Sequence, residues 1–87
     1  MKKPRKIIAW IKPGCPWCRG LVGWMKKRGL ECETRDVIGN EKHYREMAEK
    51  TGQTLAPCVE IDGTMLADTS AEECEAWMKS KGYLSQG

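Results

Sequence analysis

Cys15-Pro16-Trp17-Cys18 is the segment of this 87-residue chain whose residue types and spacing are best suited to chemistry. Two thiols separated by two residues can close into a disulfide and reopen by exchange, which moves two electrons per cycle. The attacking species is the thiolate, so the setting of the first cysteine matters. An apolar run precedes the pair and a helix-period segment follows it, which places Cys15 at or beside a helix N-cap. Unpaired backbone N–H groups and the positive end of the helix dipole stabilise an anion there. Motifs of this kind lower a cysteine pKa from ~8.5 to roughly 3.5–7.5. Cys18 falls on the apolar stripe of the same helix. The expected division is an exposed attacking Cys15 and a more buried resolving Cys18. Pro16 suits the first helical position, where its missing N–H is not needed and its fixed φ favours helix entry.

The competing reading of the cysteine pair is a structural zinc site. Zinc usually takes four protein ligands arranged as two pairs. The remaining cysteines, Cys32, Cys58 and Cys74, are scattered, and His43 is the only histidine. Redox chemistry is therefore the favoured reading, and no metal site is expected.

The elements that must position the pair follow from periodicity. Lys6 to Lys12 reads as a buried strand around Ile7-Ile8-Ala9-Trp10-Ile11. Pro16 to Arg28 reads as a helix, with Cys18, Leu21, Val22 and Met25 on one stripe, basic residues at its end and Gly29 as its stop. Leu30 to Val37 is a weaker strand. Asn40 is positioned to cap a second helix running to Thr51, with Tyr44, Met47, Ala48 and Thr51 on one face and Gly52 as its stop. Cys58 to Asp62 is a strand that turns at Asp62-Gly63 and returns through Thr64 to Ala67. Ser70-Ala71-Glu72-Glu73 has the form of a capping box opening a last helix, with Ala71, Cys74, Trp77 and Met78 facing inward. The order β-α-β-α-β-β-α implies an α/β fold.

Composition narrows the class. Eighty-seven residues suit one domain spanning 1–87. Hydrophobic residues make up 40% and charged residues 31%, a globular balance. The longest apolar run is far below the ~20 residues of a membrane span. It is also below the ~7–15 of an export signal and is ended by Lys12-Pro13. No membrane association and no export are expected, and the cytoplasm is the expected location. The formal charge of +3 is mild, and the basic residues are not interleaved with aromatics, so no nucleic-acid partner is expected. Five cysteines is an odd count, which argues against a secreted disulfide framework.

Trp10-Ile11-Lys12-Pro13-Gly14-Cys15-Pro16-Trp17-Cys18 resembles the active-site segment of the glutaredoxin family, within the thioredoxin superfamily. Lys12 stands at the family's lysine three residues before the first cysteine. Gly52 to Gly63 resembles the family's segment around Thr-Val-Pro, with Pro57 at the cis-proline. Gly82-Tyr83-Leu84 resembles its closing Gly-x-Leu. The similarity runs from about Lys6 to Leu84. It implies a thioredoxin-like fold, with a mixed four-stranded sheet flanked by three helices. It implies a monomeric thiol–disulfide oxidoreductase that reduces protein disulfides or glutathione mixed disulfides through Cys15 and Cys18. Glutathione is then a co-substrate, with no tightly bound cofactor. The implied contacts are Lys12 with the glycine carboxylate and the Ala56 main chain, before a cis bond to Pro57, with the substrate's cysteine. Thr69 and Ser70, at the start of the last helix, would meet the γ-glutamyl carboxylate. Pro16 and Trp17 would flank the substrate.

Two positions depart from the family pattern. Leu55-Ala56 stand where Thr-Val is common, and Ala67-Asp68-Thr69-Ser70 where Gly-Gly-x-Asp is common. Asp68 brings a negative charge toward the expected γ-glutamyl position. That motivates an alternative reductant, a thioredoxin reductase. A second alternative is an iron–sulfur scaffold ligated by Cys15 and glutathione, which Pro16 argues against. Cys58, directly after Pro57, is read as a packed strand residue, with an accessory redox thiol as the alternative. Cys32 and Cys74 are read as packing residues.

Overall fold

The computed structural model describes residues 4–83. Its elements are β1 (Ile7–Ile11), α1 (Pro16–Lys27), β2 (Glu33–Asp36), α2 (Glu41–Thr51), β3 (Cys58–Ile61), β4 (Thr64–Leu66) and α3 (Ala71–Ser80). The four strands form one mixed sheet in the order β2-β1-β3-β4. β1 runs parallel to β2, with Ile8 opposite Glu33 and Ile11 opposite Asp36. It runs antiparallel to β3, with Ile7 opposite Ile61 and Trp10 opposite Cys58. A parallel pair needs a crossover, and α1 supplies it.

The two-residue side-chain period of β1 divides the core. Ile7 and Ala9 join Leu21, Met25, Val59, Ile61, Cys74 and Met78 in the larger cluster, built with α1 and α3. Ile8 and Trp10 join Val37, Met47 and Cys58 in a smaller cluster on the α2 side. Burial on both faces explains why the β1 sequence is continuously apolar rather than alternating.

Local chemistry sets the element ends. Asn40 Oδ1 accepts from the His43 amide at 3.3 Å, and Gly52 ends α2 at φ 71°. Ser70 Oγ accepts from the Glu73 amide at 3.2 Å. Asp62 and Gly63 both have positive φ, 48° and 90°, as the tight β3–β4 hairpin requires. Asp62 also accepts from the amides of Arg5 and Lys6 at 2.8 Å and from the Tyr83 hydroxyl at 3.1 Å, tying the entry to β1 and the end of α3 to the hairpin. Leu84, the last residue of the expected Gly-x-Leu, lies outside the described residues.

Two expectations are corrected. β2 is shorter than Leu30–Val37. The Leu30 amide is held by the Met25 carbonyl at 2.9 Å, closing the end of α1 over Gly29 at φ 70°, so the chain cannot enter the sheet until Glu33. On α2, only Met47 of the expected apolar face is fully buried, and Tyr44 is exposed. The ring under this helix is Trp10. It is covered by the cationic ends of Arg35 and Lys50 and donates from Nε1 to Glu46 at 2.9 Å. Long charged side chains thus do part of the covering that apolar residues would otherwise do.

Candidate active site

The loop that carries the first thiol is a turn with its residues in the required places. Pro13 is second and Gly14 third, at φ 86°, and the Cys15 amide donates to the Lys12 carbonyl at 3.1 Å. Cys15 is the N-cap of α1 and Pro16 its first residue. Trp17 stands 70% exposed beside it. One turn further, Cys18 is 1% exposed on the inner face with Leu21 and Met25. Its sulfur lies 3.4 Å from the Lys12 amide.

The two thiols are electrostatically unequal. The Cys15 side chain makes no close capping hydrogen bond. Its thiolate is nevertheless favoured by the nearby Cys18 amide first of all, then by the Cys18 thiol, the Trp17 amide and the charge of Lys12. Together these hold its pKa below the ordinary 9.0. Burial pushes Cys18 up to about 11, only partly offset by the Lys12 amide, and the neighbouring Cys15 adds to the rise. At neutral pH Cys18 therefore keeps its proton while Cys15 is the thiol disposed to ionise. With the pKa of Cys15 lowered, its alkylation rate falls as pH drops through that value and levels off above it. Iodoacetamide kinetics on the reduced protein are expected to show a midpoint below 9.0 for Cys15, with Lys12→Gln moving it upward. A midpoint at or above 9.0 would contradict this electrostatic account.

The Ala56–Pro57 peptide is cis and immediately precedes β3, which begins opposite Trp10. Ala56 and Pro57 therefore lie at the end of the sheet where β1 runs out toward Cys15. The Pro57 carbonyl is taken by the Thr69 amide at 2.8 Å, which docks the start of α3 against this loop. Among the described residues the N–H and C=O of Ala56 have no hydrogen-bond partner. Thr69 is buried, and its hydroxyl lies 3.3 Å from Glu73 Oε2 and 3.8 Å from the Cys74 sulfur. Ser70 is occupied capping α3. Asp68 adopts φ 48°, the left-handed region that glycine enters most easily and Asp tolerates better than most residues.

Cys58 is fully buried on the α2 side of the sheet, opposite the face that α1 covers. Its thiol donates to the Leu55 carbonyl at 3.0 Å. Burial pushes both Cys32 and Cys74 up to about 11, which suits packed, neutral thiols. Gln53 was not singled out by the sequence. Its side chain bonds to Thr51, Leu55 and Cys58, and only its closeness to Pro57 in the chain hinted at a role.

These features define a class: a thioredoxin-like fold with a C-x-x-C pair at the start of α1 and a cis-proline at the same end of the sheet. Residues 7–66 match the glutaredoxin family model, and the chain belongs to the glutaredoxin family. It is 25% identical over 69 residues to an uncharacterized glutaredoxin-like 8.6 kDa protein in the rubredoxin operon of Clostridium pasteurianum, covering 79% of this chain and 92% of that one. Among solved structures, the thioredoxin-like protein BC3987 is similar with a TM-score of 0.74 and 24% identity, over 82% of this chain and 97% of the other. A buckwheat glutaredoxin, solved as a glutathione complex, has a TM-score of 0.69 and 17% identity, over 90% and 71%. At these identities the solved structures speak to the fold. Fold and family together support a thiol oxidoreductase in general terms.

Proposed function

We propose that this chain is a dithiol thiol–disulfide oxidoreductase reducing protein disulfides or glutathione mixed disulfides. The observation that carries the reading is the inequality of the two thiols across one helical turn, an ionisable Cys15 at the helix start and a buried, protonated Cys18 behind it. The Cys15 thiolate attacks one sulfur of the target disulfide, forming a mixed disulfide and expelling the other sulfur as a thiolate, which takes a proton from solvent. Cys18 then gives up its proton and attacks the Cys15 sulfur. The second substrate sulfur leaves as a thiol, and the Cys15–Cys18 disulfide carries the oxidising equivalents. Alternatively, glutathione resolves the intermediate. In a bound substrate, the open main chain of Ala56 pairs with the strand that holds the target cysteine. Lys12 supplies positive charge for a carboxylate, and Pro16, Trp17 and Pro57 border the reacting sulfurs.

A second reading concerns the reductant. Thr69 and Ser70 have their hydroxyls engaged within the chain, and Asp68, Glu72 and Glu73 surround the start of α3 with negative charge. That arrangement disfavours a γ-glutamyl carboxylate at this helix end and favours re-reduction by a thioredoxin reductase. Turnover of a small mixed disulfide is to be measured with NADPH throughout, once with glutathione and glutathione reductase and once with a thioredoxin reductase alone. Turnover with the glutathione couple is the outcome of the first reading. No turnover there, with turnover on thioredoxin reductase, would remove glutathione from the account.

A further inference from the structure

Side chains of Thr51, Gln53 and Cys58 hold the main chain of Gln53 and Leu55. The Gln53 side chain grips Leu55 at both ends: Oε1 accepts from the Leu55 amide, and Nε2 lies 3.2 Å from the Leu55 carbonyl. The same Nε2 is 3.3 Å from the Cys58 sulfur, and the Cys58 thiol donates to that same carbonyl at 3.0 Å. Thr51 anchors the grip to α2, accepting from the Gln53 amide at 3.3 Å while its hydroxyl reaches the Met47 carbonyl at 2.7 Å. Both main-chain groups of Leu55 are thus satisfied internally. Its side chain is 56% exposed. The next residue, Ala56, offers the unpaired N–H and C=O, and Trp17 adds a second exposed apolar surface beside Cys15.

An exposed apolar side chain on a firmly held residue, next to open main chain, suits an extended peptide. Backbone hydrogen bonds hold such a peptide, and the side chain beside the pairing position is selected by what it meets. We propose that Gln53 and Cys58 are positioning residues that fix Leu55 as a specificity determinant, so that the preferred substrate is a disulfide on an extended protein segment with an apolar residue next to the attacked cysteine. This rests on the oxidoreductase reading above. It also gives Cys58 a role as a hydrogen-bond donor rather than as a third redox thiol.

The test uses the full chain, reduced and freed of reductant, in single turnover with two synthetic peptides that differ only in Leu or Ser beside a cysteine of an internal disulfide. Cys15 and Cys18 lose two electrons to the peptide, which leaves as a dithiol and is quantified after acid quench. The wild-type protein is expected to reduce the Leu peptide about tenfold faster. Gln53→Ala and Cys58→Ala are expected to bring that ratio close to one, and Cys58→Ser, which keeps a donor, is expected to retain it. Circular dichroism and thermal melts establish that each variant is folded, so that a lost ratio reports the placement of Leu55 and not a lost fold. Equal wild-type rates, a ratio untouched in both alanine variants, or loss of the ratio in Cys58→Ser would each overturn the proposal. If the wild-type protein failed to reduce even hydroxyethyl disulfide, the oxidoreductase reading itself would fall, and this inference with it.

Discussion

Replacing Cys15 with serine is expected to slow disulfide reduction by more than about a thousandfold, because a hydroxyl at this position has no accessible anion to attack sulfur. The local arrangement gives no rescue. Cys18 is 1% exposed with its pKa pushed up to about 11, and Cys58 lies buried on the α2 side of the sheet. Cys18→Ser separates the two steps. Its Cys15 still attacks, but nothing within the chain resolves the product, so a protein substrate accumulates as a mixed disulfide visible as an added mass. Single-turnover kinetics with mass spectrometry check both variants. If Cys15→Ser kept substantial activity while Cys18→Ser lost it, the roles of the two thiols would be reversed.

The second large effect is on stability. Leu21 is fully buried where α1 meets the sheet, in the cluster with Ile7, Val59 and Met78. Leu21→Ala removes apolar contacts and leaves a cavity, at a cost of about 2–5 kcal/mol. For a small domain stable by about 5–15 kcal/mol, that is a large share. At roughly 4–8 °C per kcal/mol, the melting temperature drops by about 10 °C or more. Lys27→Ala, on the exposed face of the same helix, should stay within about 0.5 kcal/mol. Thermal and urea unfolding of both proteins decide. A Leu21→Ala loss below ~1 kcal/mol would show that α1 is not seated on the core as described, and with it the burial of Cys18.

Much of this architecture is written in short-range chemistry. Asp62-Gly63 specifies the hairpin, Asn40 and Ser70 the helix starts, and Gly52 a helix end. Each acts within a few residues and is legible without the fold. The misread places are those where distant parts intervene. The Leu30 amide belongs to the end of α1 through Met25, which shortens β2. Tyr44 fits the apolar period of α2, but that helix covers only a small cluster already shielded by the side chains of Arg35 and Lys50. In the candidate site, the C-x-x-C pair and Pro57 stand out by type and spacing. Gln53 does not, since a glutamine in a loop is ordinary until its partners on Leu55 and Cys58 are seen.

On the proposed function, Cys15 and Cys18, and no other cysteines, form the redox couple. Mild oxidation of the native protein, followed by denaturation, alkylation and peptide mass mapping, tests it directly. The expected result is a Cys15–Cys18 peptide that takes up no alkyl group, with Cys32, Cys58 and Cys74 each taking up one. A Cys15–Cys18 peptide carrying two alkyl groups, or a disulfide drawn from the other three cysteines, would contradict it.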